Sequence, residues 1–541
     1  MTTASFQTLI KEILDWHLRT NPVLATAVGV HKYDAYLGDF SQEAIQAQYE
    51  QAKRYLASLR AIDDKTLTPD EGIDKELVEV QLETAVKFED ALHDWRRNPA
   101  YADTGLFGCY FLLFREFAPL EQRLEATLSR LRGLPGLLAQ GQANVTEPVR
   151  VFVETNIETA RGGLLFFLGL VPAFIEQASS PALKRDLAEA NAKAIEAMQD
   201  YVASVEALLP SCKPDFAIGR ELFDYLLQRR HLMSYDAESL FAKGRELFAE
   251  TLRQMEETAR EIDKTKPMRE VVEDLKREHP EPADLLDTYR RHMLASRQWV
   301  IDQGIVDIPP GERLIVEETP IFQRPVVPYA AYMPPAPFET DQTGRFWVTP
   351  VDETASREHQ EQQIRDHCGY GIPLTAVHEG YPGHHLQLCW ANRNPSDIRK
   401  LNDSTLFIEG WAFYLEELAE QLGFVSGAKH RLIRLKDQLW RAGRIILDSA
   451  LHTRGMTIDE AVDFLVDEVH LERPNALAEV RRYTVSATQP MSYLMGKLEI
   501  VKLAADYKAK KGKSYDMRQF HNQLLAQGNV PPAMLRKILL G

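Results

Sequence analysis

Cysteine is scarce: the chain has four in 541 residues, Cys109, Cys212, Cys368 and Cys389, and no C-x-x-C pair. That excludes a disulfide scaffold and a thiolate metal cluster, leaving reduced thiols that pack as small apolar groups. A basic surplus is missing too. The net charge of −16 opposes the counterion release that drives nucleic-acid binding, so no nucleic-acid partner is expected. No apolar run reaches the roughly 20 residues a membrane-spanning helix needs. The longest, Gly162–Ile175, is interrupted by Pro172 and reads as a buried core helix, so no membrane partner is expected either. The opening stretch, MTTASFQTLIKEILDWHLRTNP, lacks a basic segment followed by an apolar core and reads as an amphipathic helix. The expected location is cytoplasmic.

What the chain does have is helical periodicity. Segments 6–19, 44–62, 74–95, 120–141 and 182–209 each repeat apolar residues at helical spacing, separated by short Pro, Gly or Asp punctuation. No fixed-length repeat or low-complexity linker divides them. Between Ile308 and Val351 proline and β-branched residues accumulate, and RLIVEET, VPYAAYM and GRFWVTP read as short strands. Helical patterning then resumes to the end. The expected fold is mainly α, with one small β-sheet just ahead of a histidine-rich segment. The sequence divides into a helical region, 1–300, and a second region, 301–541, expected to form one cooperative unit.

That histidine-rich segment, TAVHEGYPGHHLQLCW, starts like a zinc-protease helix, with His378 beside Glu379, yet Pro382 occupies the place of the second histidine of H-E-x-x-H. In a straight helix His384 would lie about 240° round from His378, and His385 would return to the same face about 10 Å further along. Pro382 lacks a donor and clashes with the carbonyl of His378, while Gly380 and Gly383 relax the backbone on either side. A bulged or broken turn there would bring a late histidine, His384 or His385, back toward His378. Glu409, in STLFIEGWAFYLEEL, is the candidate third ligand, which leaves Glu379 free to act as general base on a water. Oxyanion donors are sought in RRYTVSATQPMSY, with Tyr493 ahead of Tyr483 and Arg482 next. Asp448 and His452, four apart on one helix face, are candidates to orient a zinc histidine from behind. Tyr329, Tyr332 and Trp347 are candidates to line a substrate cleft beside a sheet edge.

HEGYPGHHLQ and FIEGWAFYLEELAEQLG resemble the hallmark segments of the bacterial family catalogued as domain of unknown function 885, treated as zinc-peptidase-like proteins. NPVLATAVGVHKYDAYLGDFS, AAYMPPAPFETDQTGRFWVTP, IILDSALHTRGMTIDEA and RRYTVSATQPMSYLMGKLEI are similar to further family blocks in the same order, so the resemblance spans nearly the whole chain. It implies a gluzincin-type, largely helical protein with a deep channel, similar to the neurolysin and angiotensin-converting-enzyme group. Residues 1–300 would form part of the channel wall. The catalytic region, 301–541, would hold the small sheet (308–351), the metal helices (373–422) and C-terminal helices. The spacing is also similar to the lengthened H-E-x-x-G-H motif of dipeptidyl peptidase III. By that analogy His378, His384 and Glu409 hold one zinc ion, Glu379 is the base, and His385 is the alternative ligand or a group behind the metal. Gln489 is retained from the family pattern, although ATQP replaces a Pro-Gly pair many relatives carry. Many relatives also carry export or lipoprotein signals.

The function expected is hydrolysis of short peptides by a metallopeptidase, as a monomer or homodimer. Two other readings compete: a metal-dependent amidase or esterase on a small metabolite, and a non-enzymatic helical protein with a structural metal or none.

Overall fold

The computed structural model describes residues 3–320, 324, 327 and 329–541. Helices account for most of them, and a single three-stranded sheet is the only β structure of any size among the described residues. The mainly α expectation is met.

The chain divides into two compact units, Met1–Phe216 with Ala336–Glu339, and Ala217–Pro335 with Thr340–Gly541. The division falls at 216/217, not near 300, because the helices between 219 and 303 pack on the C-terminal helices and the sheet. The first unit is built from long helices, among them Gln42–Arg60, Pro69–Leu92, Leu120–Asn144 and Pro181–Glu206. Pro69–Leu92 starts on a reciprocal cap between Thr68 and Glu71, which satisfies donors that a helix start leaves open. By length and composition, Arg150–Ile175 is apolar enough to cross a membrane. Phe166, Phe167, Val171 and Ile175 in it are buried, as a core helix requires, but Leu165 and Leu168 are 64% and 49% exposed, so the run is only partly core.

In the second unit the elements that matter for the site are α1 (Ala237–Ile262), α2 (Leu285–Gln303), the sheet, α3 (Ile372–Thr375), α4 (His384–Ala391), α5 (Thr405–Gln421), α6 (Ala428–Thr453), α7 (Arg473–Val485) and α8 (Ser492–Lys511). The strands are β1 (Glu312–Glu318), β2 (Ala330–Met333) and β3 (Gln342–Val348), in the order β1–β3–β2. β3 pairs parallel with β1, Val316 opposite Phe346, and antiparallel with β2, Tyr332 opposite Phe346. All three expected strands are present; Pro328 in the second lies outside the described residues. Phe346 and Val348 of the central strand join Tyr289 and Met293 of α2 and Ile372 and Ala376 in one apolar core. This core fixes the sheet against the chain that enters the histidine motif.

Candidate metal centre

α3 runs directly into a π-helical turn, Ala376–Gly380, closed by the Tyr381 amide donating to the Ala376 carbonyl, five residues back, at 3.1 Å. The widened turn is the local answer to Pro382, which cannot continue an ordinary ladder. The chain then leaves helical geometry at Tyr381 and restarts as α4 with His384 as its first residue. Gly383 is what lets the two segments touch. A Cβ there would lie 1.8 Å from the His378 carbonyl oxygen and 2.3 Å from that of Val377, distances no side chain tolerates. The Trp411 indole, fully buried on α5, donates to the Pro382 carbonyl at 3.0 Å and ties the reversal to the next helix.

The reversal stacks the His378 and His384 rings edge to face, centroids 4.8 Å apart. Glu409, on α5, completes the group: its Oε2 is 3.3 Å from His384 Nε2 and 3.8 Å from His378 Nε2. Glu379 brings its carboxylate within 4.8 Å of ligand atoms of both histidines. Two donors bound to one zinc at about 2.0–2.1 Å in a tetrahedron stand roughly 3.4 Å apart, so the Glu409 and imidazole spacings suit a shared cation. Glu409 Oε2 is buried and has no hydrogen-bond partner, although two ring nitrogens surround it. It is aimed at the place a cation would fill.

A residue absent from the sequence reading joins the site here. Glu416 Oε1 accepts from His378 Nδ1 at 2.7 Å, which directs the lone pair of Nε2 inward. Glu416 lies seven residues after Glu409, on the same face of α5, so the spacing carried the signal. Carboxylates thus dominate the pocket. Burial works against a charged His378, but Glu409, Glu416 and Glu379 outweigh it and raise the imidazole to about 10. Burial likewise raises the Glu409 carboxyl, yet His384 and then His378 hold it well below the usual carboxylate range. The residues present fit one divalent cation with N and O donors.

His385 is not part of this group. Fully buried, it donates from Nε2 to Glu312 at 2.9 Å and accepts from the Tyr332 hydroxyl at Nδ1, 3.0 Å away. Both nitrogens are engaged on the sheet side of α4. Glu312 also receives Tyr381 at 2.6 Å and a two-pronged contact from Arg297 at 2.9 and 3.0 Å. Gly344 makes room for the histidine, since a Cβ there would come within 2.6 Å of its Nδ1.

A cavity of about 390 Å³ opens over the histidines and carboxylates. Tyr332, Tyr493, Ile408, Arg441 and Arg444 are on its walls. Tyr493 is held by Gln489, whose amide donates to its hydroxyl at 3.3 Å, and by the Arg444 guanidinium 4.7 Å over its ring. Burial, with Glu409 next, raises its phenol above the ordinary value. Arg482 donates to Gln489 at 2.7 Å and to Glu479 at 2.8 Å, so it positions Tyr493 through Gln489.

Several expected residues stand elsewhere. Tyr483 is fully buried off the cavity and its hydroxyl accepts from Arg444 Nε at 2.9 Å, so it supports the arginine. Asp448 bonds neither His378 nor His384: its two oxygens accept from the Thr488 and Met491 amides at 3.0 and 3.2 Å, and burial raises it to about 7. It holds the turn ahead of Tyr493, in which Thr488 adopts φ +67°, a conformation a β-branched residue keeps only when fixed from outside. His452 binds the Tyr483 carbonyl at 3.0 Å. Tyr329 stacks on His367 and shares a hydrogen bond with Tyr289 at 2.8 Å, and Trp347 donates to Glu317 at 3.1 Å. Of the three cleft aromatics, Tyr332 alone reaches the cavity. The sequence reading missed Arg441 and Arg444, since arginines three apart on a helix ordinarily read as a solvated face.

Two solved structures share this fold across their length. A candidate lipoprotein of unknown function from Shewanella oneidensis is 24% identical, covers 99% of this chain and 100% of its own, and superposes with a TM-score of 0.83. A candidate lipoprotein from Colwellia psychrerythraea is 18% identical, with 100% and 99% coverage and a TM-score of 0.85. A comparison with curated proteins returns no match. The family described as "Bacterial protein of unknown function (DUF885)" matches residues 22–539, nearly the whole chain, and the protein belongs to it.

Proposed function

We propose that the protein is a zinc-dependent, gluzincin-like metallopeptidase that hydrolyses short peptides. The observation that carries this is the convergence of His378 Nε2, His384 Nε2 and an unpartnered Glu409 Oε2 in a cavity that also holds a free-standing Glu379. Two imidazoles and one carboxylate are the donor set of many hydrolytic zinc sites, which keep one position open. When bound, the ion supplies Lewis-acid chemistry toward water and the scissile carbonyl.

The chain's own groups do the rest. Glu379 takes a proton from the attacking water and passes it to the leaving nitrogen as the C–N bond breaks and the new C–O bond forms. Tyr493 donates toward the oxygen on which negative charge develops, its ring fixed by Arg444 and its hydroxyl by Gln489. β2 pairs with β3 on one side, and its Tyr332 stands on the cavity wall, so an extended peptide adding to the other side would lead its backbone past Glu379.

Metal analysis with a mixed peptide library tests the reading. The wild-type chain should carry one zinc ion, and His378→Ala, His384→Ala and Glu409→Ala should lose it. Glu379→Gln should keep the zinc and lose turnover by about 10²–10⁴-fold. Full zinc retention in both His384→Ala and Glu409→Ala would overturn the assignment.

A further inference from the structure

The wall of the cavity formed by α6 carries two arginines with hydrogen-bonding capacity that the proposed hydrolysis does not use. Arg444 is buried, its side chain 5% exposed. Its Nε is taken by Tyr483 and its Nη2 by Glu479, at 2.9 Å each, while Nη1 is buried with no partner. Arg441, one turn earlier, has a buried Nε with no partner, while its Nη1 makes a long contact, 3.4 Å, to the Asp437 carbonyl and lies 3.7 Å from the Asp437 carboxylate. The nearby carboxylates are shared: Glu479 also pairs with Arg482, and Asp437 with Lys436. Arg441 and Arg444 thus each share a carboxylate with a second cation, while Glu379 and Glu409 line the same cavity with the histidines. A buried N–H without a partner costs about 1–3 kcal/mol, and two beside one cavity mark a place where a ligand supplies the acceptor.

We propose that Arg441 and Arg444 form a subsite for the C-terminal carboxylate of the substrate, which makes the protein an exopeptidase acting at peptide C-termini. The planar guanidinium fork matches a carboxylate, and the terminal carboxylate is the one anion every linear peptide carries whatever its sequence. The same small cavity holds this subsite and the His378–His384–Glu409 group, so the bond presented for attack is the last or next to last. This inference rests on the metallopeptidase reading for the reaction, but the binding it requires can be measured without turnover.

The test uses the full-length chain carrying Glu379→Gln and a degenerate pool of N-acetylated tetrapeptides made with free and with amidated C-termini. Captured peptides are quantified by mass spectrometry, and zinc is measured on the same samples. Free acids should be enriched at least tenfold over amides. Adding Arg444→Gln should bring that ratio to within twofold, and adding Arg441→Gln should lower it at least threefold. If Arg444→Gln does not fold, the parent ratio and the Arg441→Gln protein decide. Equal capture of acids and amides, or capture of neither, overturns the subsite. So does capture of amides with Asp or Glu side chains as strongly as free acids, which would assign the arginines to acidic side chains. An acid preference in a chain that binds no zinc would sink the peptidase and leave the subsite standing, whereas zinc and turnover without acid preference would sink the subsite alone.

Discussion

His384 and His385 are neighbours in sequence, yet they belong to two buried polar clusters of opposite character. On the sheet side, Glu312, Arg297, Tyr381, His385 and Tyr332 give Glu312 and His385 partners at every carboxylate oxygen and ring nitrogen. On the cavity side, Glu409 Oε2, Glu416 Oε2, His384 Nδ1 and Arg444 Nη1 are buried without any. A satisfied network stabilises and specifies a fold, whereas an incomplete one is costly unless something else binds there. Incompleteness, more than polarity, separates the candidate site from the scaffold beside it.

The contrast breaks most completely at the residue that keeps the two clusters apart. Gly383→Ala should abolish zinc binding, because a Cβ has no room against the His378 carbonyl; normal metal content in the purified variant would show that the reversal is not needed. Next comes Glu312→Ala, which leaves buried His385 and half-exposed Arg297 without their acceptor. Its unfolding free energy should fall by about 3 kcal/mol in denaturant titrations while one zinc per chain is retained. The reverse pattern is expected on the other side: Glu416→Gln should weaken zinc binding about 10–100-fold in competition with a chelator and leave the denaturation midpoint almost unmoved. The smallest effect is Tyr332→Phe, which removes one hydrogen bond to His385 and should cost about 1 kcal/mol of stability. Loss of zinc in Glu312→Ala without loss of stability would dissolve the distinction.

The class of fold was legible because helical periodicity is a property of each segment alone, and the strands stood out by their proline and β-branched content. The site was legible where the residues carry their own constraint: Pro382 and two glycines inside a histidine motif have few uses other than to turn the chain back. Spacing failed where the question was which neighbour a face meets. Asp448 and His452 do share a face of α6, but that face meets the turn before α8 and the end of α7, not His378 or His384. Tyr329 and Trp347 have the composition of cleft residues, but Tyr329 precedes β2 and bonds Tyr289, and Trp347 bonds Glu317, so neither lines the cavity. Arg441 and Arg444 were passed over because burial of a charge is decided by tertiary packing.

Glu409 precedes Gly410, and Tyr493 comes three residues before Gly496. At that crossing α5 and α8 meet backbone to backbone, for a Cβ on Gly496 would fall 1.9 Å from the Leu406 carbonyl and one on Gly410 would fall 2.4 Å from the Gly496 carbonyl carbon. With no side chain between them to compress or rotate, the two helices form a joint without play. The backbones that carry the carboxylate and the phenol are held together at that crossing, as on one ruler, so motion that admits a substrate is expected from another wall of the cavity.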